Sequence, residues 1–269
     1  MASTTENVGR IALLTGAAGD LGRACAVRLA TNGASVIAAD LPRVAAALQE
    51  TVALCRAASD AIHTAVAFDV TATDEVEEAV GRIIEEVGTP TILVNCAGYQ
   101  GLFEPAQSYP ASDTARVMAV NVTGLMDLTR AVTSMMIDAE AAGAVINLAS
   151  HAGIGGPPNM PAYAASKGAV IGYTKAAARD LAPFGIRVNA VSPAFIGPGE
   201  MWDRQVDQQA GTPSQYYSND PATVAQEMIA QVPLRRLGTL EEVAATVAWL
   251  ASDDSSYITG ENIGVTGGI

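Results

Sequence analysis

The sequence predicts one α/β domain over residues 1–269, built on a doubly wound parallel sheet of about seven strands. Two observations lead to this prediction. Short β-branched runs alternate with helix-length amphipathic stretches along the whole chain, and no internal repeat or low-complexity linker divides it. Strands that alternate with helices in this way are parallel and joined by right-handed crossovers, so helices cover both faces of the sheet.

The first half of the chain supplies four of the strands. Each is a short apolar run, and together they are predicted at Ile11–Thr15, Ser35–Asp40, His63–Asp69 and Ile92–Asn95. Helices are predicted from about Gly22 to Asn32 and from after Asp40 to about Ser59. The third helix is the clearest, because acidic residues crowd its first turn and apolar residues recur at helical spacing, at Val76, Val80, Ile83, Ile84 and Val87.

The second half continues the alternation. A long helix is predicted before a fifth strand at Ala144–Leu148, and a helix from Tyr163 to about Ala182 leads to a sixth strand at Arg187–Val191. Thr239 and Glu242 form a capping box ahead of an apolar helix that ends near Ala251, and the last strand is predicted at Asn262–Val265.

One segment departs from this alternation. Residues 194–232 are rich in Gly, Pro, Gln and Tyr and show little periodicity. A stretch of this length without a regular pattern is uncommon inside a compact domain and is usually a lid or a binding segment. We therefore expect it to cover the substrate, and we name residues 194–232 the covering segment.

Composition and charge restrict the classes of function. The formal net charge is −13 and the sequence pI is about 4.5, so nucleic acid and anionic membrane surfaces would repel the protein on average. Three cysteines without a CxxC pair and two histidines give no zinc-site spacing, so no metal is expected. The polar residues 1–10, and the absence of an apolar run of ~18 residues, predict a soluble, cytoplasmic protein.

A glycine-rich turn lies between the first predicted strand and the first predicted helix. In Thr15–Gly22, the glycines at 16, 19 and 22 let the backbone turn sharply and approach a pyrophosphate, while the helix start offers N–H donors to it. Many loops contain two or three glycines, but this one sits in a βαβ unit. The position predicts dinucleotide binding on a Rossmann fold.

The residue that ends the second strand predicts which dinucleotide binds. Asp40 follows the glycine-rich turn by about twenty residues, where a carboxylate accepts hydrogen bonds from the adenosine ribose hydroxyls. A 2′-phosphate there would meet a like charge, so Asp40 favours NAD over NADP. Arg43 lies close by in sequence and is the residue that would instead reach a 2′-phosphate.

A phenol and an ammonium group are spaced one helical turn apart in the sequence. Tyr163 and Lys167 are four residues apart and therefore lie on one helix face. A nearby cation favours phenolate and brings the pKa of a tyrosine closer to the working range. Ser150, thirteen positions before Tyr163, would hold a substrate oxygen beside the phenol, and Asn121 is a further polar group in an apolar run.

Taken together, these motifs resemble the short-chain dehydrogenase/reductase family, and the resemblance covers nearly the whole chain. The residues that carry it are Thr15–Gly22, Asp69-Val70, Asn95-Cys96-Ala97-Gly98, Asn121, Ser150, Tyr163 with Lys167, and Ser192-Pro193. One departure is Asp20, which stands where the family usually has the middle glycine of the turn. A carboxylate near a pyrophosphate is unfavourable unless it points to solvent.

The resemblance implies hydride transfer between NAD and a secondary alcohol or its ketone. Tyr163 would exchange the proton, Ser150 would orient the substrate oxygen, and Lys167 would lower the pKa of Tyr163 and bind the nicotinamide ribose. Asn121 would hold a water in a proton relay. The implied cofactor contacts, besides Tyr163 and Lys167, are Gly16, Gly19, Asp20, Leu21, Gly22, Asp40, Leu41, Asp69, Val70, Asn95, Ala97, Gly98, Pro193 and Ile196.

Three further stretches resemble the bacterial NAD-dependent xylitol dehydrogenases within the family. They are Ala97–Gly101, Gly156–Met160 and Gly197–Trp202 followed by Arg204-Gln205-Val206. These stretches flank the expected mouth of the site, where Tyr99, Gln100 and Asn159 offer polar groups and Trp202 a flat face that suit a polyol such as xylitol. The alternative is that Tyr99–Gly101 and Gly156–Met160 only shape loops.

Two other functions remain open. An NADPH-dependent 3-oxoacyl-acyl-carrier-protein reductase has the same fold, but Asp40 and the negative net charge argue against it. A non-catalytic NAD-sensing protein is the second, against which the complete set of Asn121, Ser150, Tyr163 and Lys167 argues. The resemblance also implies a homotetramer, formed through apolar and small residues on two helices: Val117, Val120, Leu125, Leu128, Ala165, Ala169 and Ile171.

Overall fold

A single parallel sheet of seven strands forms the centre of the protein, as the sequence predicts. The structure, a computed structural model, describes residues 7–269; residues 1–6, part of the polar stretch from which no leader was expected, lie outside the described residues. The strand order is β3-β2-β1-β4-β5-β6-β7. The strands are β1 Ile11–Thr15, β2 Ser35–Asp40, β3 His63–Ala67, β4 Ile92–Asn95, β5 Gly143–Leu148, β6 Ile186–Pro193 and β7 Asn262–Val265.

Helices connect the strands and cover both faces of the sheet. They are α1 Asp20–Thr31, α2 Ala45–Ala58, α3 Thr73–Glu86, α4 Ala111–Met118, α5 Leu125–Asp138, α6 Ala152–Gly155, α7 Pro161–Leu181, α8 Glu200–Gly211, α9 Pro221–Gln231 and α10 Leu240–Ala251. The long helix expected between the fourth and fifth strands is α4 and α5 joined by a π-helical turn, Ala119–Gly124. None of the helices within residues 7–269 is long and apolar enough to cross a membrane.

Two hydrophobic layers enclose the sheet. Alternate strand residues point to opposite faces, so Leu14 packs with α1, α2 and α10 while Leu13 packs with α3, α5 and α7. Both leucines are fully buried. Because each face of a parallel sheet is covered by helices, the strands are nearly continuous apolar runs, which explains why the strand positions were readable from the sequence.

The strand order reverses direction at β1, and this reversal places the site. β1 pairs with β2 on one side and with β4 on the other. In such sheets a crevice opens beyond the carboxyl ends of the strands at the point of reversal, and ligands bind there. The glycine-rich turn after β1, the segment after β4 and Ser150 after β5 therefore all meet at one edge.

The covering segment is more regular than its sequence pattern indicated. It contains α8 and α9, which pack on each other through a small apolar cluster of Trp202, Val206, Ala210, Val224 and Met228. The helical spacing of this cluster was obscured because glutamines and acidic residues fill the intervening positions. Asp220 followed by Pro221 was a readable helix start, and the Asp220 carboxylate does accept a bond from the N–H of Thr223, 3.0 Å away.

Only some of the residues predicted to form an interface between copies are exposed at the surface of the chain. Val117, Leu125 and Leu128 are buried within the chain itself, at 0%, 6% and 0% exposure. They therefore offer almost no surface for a contact with another copy. Ala165 is exposed and Ala169 half-buried on α7, and Met126 on α5 is 39% exposed. The prediction from these two helices therefore depends on fewer residues than expected.

Candidate active site

The glycine-rich turn is built for close backbone contact. Gly16 has a φ of 69°, and a Cβ there would lie 2.8 Å from the backbone nitrogen of Ala97. A Cβ on Gly22 would lie 2.1 Å from the carbonyl oxygen of Gly16. A side chain at either position would push apart β1, α1 and the segment after β4, so both glycines are sterically required.

The start of α1 offers free backbone donors to an anion. Gly19 is the residue before α1, and within the described residues no side chain forms a capping hydrogen bond there. The N–H groups of the first turn, from Asp20, Leu21 and Gly22, point out of the helix start with its partial positive charge. An uncapped helix start beside a glycine cradle fits the pyrophosphate of a dinucleotide.

Asp20 is exposed to solvent and also contacts the covering segment. Its carboxylate accepts a hydrogen bond from the backbone N–H of Glu200, 3.2 Å away, at the start of α8. A Cβ on Gly199 would approach this carboxylate to 2.9 Å. Asp20 therefore joins the glycine-rich turn to the covering segment, and its exposure to solvent is the condition under which a carboxylate is tolerated near the expected pyrophosphate.

Asp40 stands at the end of β2 and faces the glycine-rich turn. One carboxylate oxygen accepts from the N–H of Ala18, 2.9 Å away, and the other from the N–H of Leu41, 2.8 Å away. Each oxygen has a second lone pair, so the carboxylate can still accept bonds from two ribose hydroxyls. The same position holds a negative charge where a 2′-phosphate would lie.

The turn after β3 forms a side of the expected adenine region. The Asp69 carboxylate accepts bonds from the backbone N–H of Thr71, at 2.9 Å, and from its hydroxyl, at 2.8 Å, which fixes the turn after β3. Val70 lies against the π-helical turn, since a Cβ on Gly124 would be 2.7 Å from its carbonyl oxygen. Pro193, a further expected cofactor contact, ends β6, several strands away from β3, and its carbonyl accepts from the N–H of His151, 2.9 Å away.

The segment after β4 is anchored from inside the sheet. The Asn95 amide donates to Thr129 at 2.9 Å and to Asn147 at 2.8 Å, and the residue is only 3% exposed. Asn95 therefore anchors the segment through its amide nitrogen, while its side-chain oxygen has no hydrogen-bond partner among residues 7–269. The neighbouring Ala97 and Gly98 carry the backbone into the cleft, where a Cβ on Gly98 would lie 3.8 Å from the ammonium of Lys167. Ile196, from the covering segment, packs under Gly238.

Tyr163, Ser150 and Lys167 come together at the carboxyl edge of the sheet. Tyr163 lies in the first turn of α7, which begins at Pro161, and Ser150 lies two residues after the end of β5. The ammonium of Lys167 donates to the carbonyl of Leu148 at 2.6 Å and lies 5.7 Å from the centre of the Tyr163 ring. The Ser150 hydroxyl accepts from the backbone N–H of Ala152 at 3.1 Å and lies near enough to the Tyr163 phenol to lower its pKa.

The pKa of Tyr163 shifts in the direction opposite to the one expected from the sequence. Burial raises the pKa of Tyr163 to about 12, and the hydrogen bond from Ser150 offsets only part of this rise. Burial also lowers the pKa of Lys167 to about 8. The lysine was expected to bring the tyrosine pKa toward neutrality, but in this structure the loss of water around the phenol outweighs any effect of the cation.

Asn121 is fully engaged within the protein. Its side-chain oxygen accepts from the N–H of Tyr99 at 2.7 Å, and its nitrogen donates to the carbonyl of Tyr99 at 2.9 Å and to the hydroxyl of Ser166 at 3.0 Å. It is 1% exposed and lies in the π-helical turn, a local irregularity that is frequent at functional sites. Asn121 thus ties the segment after β4 to α7, the helix that carries Tyr163 and Lys167.

The mouth of the site contains a polar network that sequence reasoning missed. The Asp113 carboxylate accepts from the hydroxyls of Tyr99 at 2.9 Å and Tyr109 at 2.6 Å. These bonds and the adjacent Arg116 lower the pKa of Asp113 against the effect of burial. No sequence motif marks this network, because its members are joined only by the fold. Trp202, expected to offer a flat face, is 8% exposed and packs edge-on against Phe195.

Comparisons with known proteins show the family of the chain. A family profile described as "Enoyl-(Acyl carrier protein) reductase" (adh_short_C2) matches residues 16–269. A (3R)-3-hydroxyacyl-CoA dehydrogenase from Canis lupus familiaris is 38% identical, covering 100% of this chain and 99% of the relative. A 3-oxoacyl-acyl-carrier-protein reductase from Thermotoga maritima is 35% identical, covering 97% of this chain and 98% of the relative.

Among solved structures, an NAD+-bound xylitol dehydrogenase is 46% identical, with a TM-score of 0.94, and the match covers 98% of this chain and 100% of that one. The profile spans nearly the whole chain, and the relatives match over nearly their full lengths. The chain therefore belongs to the short-chain dehydrogenase/reductase family of oxidoreductases.

Proposed function

We propose that the protein is an NAD-dependent dehydrogenase that interconverts a polyol, such as xylitol, and its ketone. The observation that carries the reaction is the grouping of Ser150, Tyr163 and Lys167 at the edge where Asp40 and the uncapped start of α1 would hold a dinucleotide. The polyol substrate is supported by the 46% identity to the NAD+-bound xylitol dehydrogenase.

The residues have complementary tasks in this reaction. When bound, the nicotinamide supplies the hydride acceptor for oxidation and the hydride donor for reduction. Ser150 holds the substrate oxygen, and Tyr163 takes the proton from the alcohol oxygen in oxidation and returns it in reduction. Lys167, fixed by the carbonyl of Leu148, keeps a cation beside the phenol and is placed to bind the nicotinamide ribose.

The raised pKa of Tyr163 sets the pH dependence of the two directions. Because burial holds this pKa near 12, the phenol keeps its proton at neutral pH and is ready to donate it to a ketone. Oxidation needs the phenolate, so it is favoured as the pH rises. Asn121 acts as a positioning residue, since it holds Tyr99 and Ser166 rather than a substrate atom.

A panel of substrates tests this proposal. We expect NAD+ with xylitol or another polyol to give an increase in absorbance from reduced nicotinamide, and NADP+ to give much less. A protein that binds NADH but oxidises no alcohol and reduces no ketone would instead be an NAD-sensing protein. Turnover restricted to NADPH with a 3-oxoacyl thioester would contradict both the cofactor and the substrate.

A second candidate substrate class is supported by a specific observation. The 38% identity to a (3R)-3-hydroxyacyl-CoA dehydrogenase favours a thioester-linked hydroxyacyl chain. The chemistry at Tyr163 is the same for both classes, so the site alone does not separate them. A direct comparison of kcat/KM for acetoacetyl-CoA with NADH and for xylitol with NAD+ decides between the two.

We also infer the setting in which the enzyme works. Three free cysteines, of which Cys25 and Cys55 are buried, favour a reducing compartment such as the cytoplasm. A homotetramer is proposed from the family resemblance and from the exposed Met126 and Ala165 on α5 and α7. Light scattering at micromolar concentration tests the assembly, and a monomer there would contradict it.

A further inference from the structure

We propose that the side-chain carbonyl of Gln100 accepts a hydrogen bond from a substrate hydroxyl other than the one that is oxidised. In this role Gln100 makes the site selective for polyols over simple secondary alcohols. The inference rests on the polyol substrate proposed above, and it names the residue that would recognise it.

The carboxamide of Gln100 is buried and only half satisfied. The residue is 5% exposed, and its nitrogen donates to the side-chain oxygen of Gln205 in α8 at 3.3 Å. Its oxygen is buried and has no hydrogen-bond partner among residues 7–269. A buried acceptor without a partner is costly and uncommon, and it is expected where a ligand or an ordered water supplies the missing donor.

Gln100 lies between the catalytic residues and the covering segment. The preceding residue, Tyr99, is held through both backbone groups by Asn121, and Asn121 also donates to Ser166 in the catalytic helix α7. On its other side, Gln100 contacts Gln205 of α8. Gln100 therefore lies between the segment that Asn121 ties to α7 and the start of the covering segment, on the carboxyl side of β4.

The other polar candidates at the mouth are occupied by protein partners. The Tyr99 hydroxyl donates to Asp113 at 2.9 Å, and the Asn159 amide donates to Gln209 at 3.0 Å. Trp202 packs into the apolar cluster of the covering segment. Of the four residues that the sequence singled out, Gln100 is the one with a buried side-chain acceptor left unpaired within the described chain.

The chemistry of a carbonyl acceptor matches a hydroxyl donor. A polyol carries hydroxyl groups next to its reacting carbon, and each can donate to an uncharged acceptor. A simple secondary alcohol has no second hydroxyl, so it leaves the Gln100 oxygen unpaired in the closed site. Sites built to bind a hydroxyl discriminate strongly against analogues that lack it.

The test compares two variants on two substrates. Gln100→Leu removes the free acceptor, whereas Gln209→Leu is the matched control because both polar atoms of Gln209 are used by the protein, in bonds with Asn159 and with the carbonyl of Pro158. The substrates are xylitol and 2-pentanol, which has the same number of carbons and one hydroxyl. NADH binding and thermal unfolding of each variant are measured alongside kcat/KM.

We expect Gln100→Leu to lower the ratio of kcat/KM for xylitol to that for 2-pentanol by roughly tenfold, the effect of one hydrogen bond to an uncharged acceptor. Gln209→Leu should change both substrates by the same factor. If 2-pentanol is not turned over, the KM for xylitol decides, and it must rise at least tenfold more in Gln100→Leu than in Gln209→Leu.

The outcomes separate this inference from the proposed function. A wild-type protein that oxidises no polyol overturns the proposed substrate and this inference with it. A wild-type protein that oxidises xylitol, with a ratio that Gln100→Leu leaves unchanged, overturns the role of Gln100 alone. An equal loss in both variants would show that the Gln100–Gln205 contact only holds α8 in place.

Discussion

Cofactor selection by Asp40 is the prediction that the structure constrains most closely. The carboxylate is fixed between the N–H groups of Ala18 and Leu41, so its position hardly changes when a cofactor binds. Asp40→Asn keeps the shape of the side chain and removes the charge. Asp40→Ser removes the charge and shortens the side chain, so that the ribose hydroxyls also lose their acceptor.

The magnitude follows from two contributions. The Asp40 carboxylate and a 2′-phosphate about 4 Å apart would repel each other by about 4 kcal/mol at an effective dielectric constant of about 20. Screening by solvent at a partly exposed residue reduces this repulsion to about 2 kcal/mol. Loss of a hydrogen bond from a ribose hydroxyl to a charged acceptor adds about 2 kcal/mol. The preference for NADH over NADPH should therefore fall roughly 30-fold in Asp40→Asn and roughly 1,000-fold in Asp40→Ser.

The assay measures the Kd of NADH and of NADPH for each variant by nicotinamide fluorescence. Arg43→Ala is the control, because Arg43 is exposed close to Asp40 in sequence and is the alternative group that would reach a 2′-phosphate. We expect this control to leave the ratio of the two Kd values unchanged. An unchanged ratio in Asp40→Ser would refute the reasoning, and a change confined to Arg43→Ala would assign the selection to the arginine.

Three further predictions concern the catalytic group, its pH dependence and the stability of the sheet. Tyr163→Phe should bind NADH normally but lower kcat by about 10²- to 10⁴-fold, and full turnover would place the proton donor elsewhere. The kcat/KM for alcohol oxidation should rise about tenfold per pH unit between about pH 6 and 8, because the phenolate fraction grows below the pKa of Tyr163, and it should rise less steeply above about pH 8, where Lys167 loses its charge; a flat profile below pH 8 would contradict this. Asn95→Ala should lower the free energy of unfolding in urea by about 2–4 kcal/mol, because Thr129 and Asn147 lose a buried partner, and an unchanged midpoint would show that these bonds add nothing.

The fold was readable from the sequence because its signals are local. β1 and β2 have the bounds that their apolar runs predicted, and the seven-stranded parallel sheet is confirmed. The capping box of Thr239 and Glu242 is also confirmed, since it depends on residues three positions apart. Signals of this kind need no knowledge of which segments meet in space.

The features that were missed depend on contacts between distant segments. The burial of Leu125 in its own chain, and the pairing of Gln100 with Gln205 across 105 positions, become visible only once α5 and α8 are packed. The predicted direction of the Tyr163 pKa shift was wrong for the same reason. The spacing to Lys167 was readable, but the burial that outweighs the cation comes from the surrounding fold.

The net negative charge of the protein distinguishes between two candidate substrates, a small neutral molecule and an acyl chain on an acidic carrier protein, which the site residues do not separate. With a net charge of −13, the chain can bind an anionic dinucleotide only through local groups, and the uncapped start of α1 supplies them without a basic side chain. An acidic carrier protein would have to approach the whole surface, and long-range repulsion would slow that encounter. The surface charge therefore favours a small neutral substrate over a carrier-bound acyl chain.

We accordingly expect an acetoacetyl thioester on a carrier protein to react more slowly than the same group on a small neutral thiol. The difference between the two rates should become smaller as salt screens the repulsion. If the difference in rate between the two thioesters does not change with ionic strength, the net charge of the protein does not disfavour an acyl-carrier substrate.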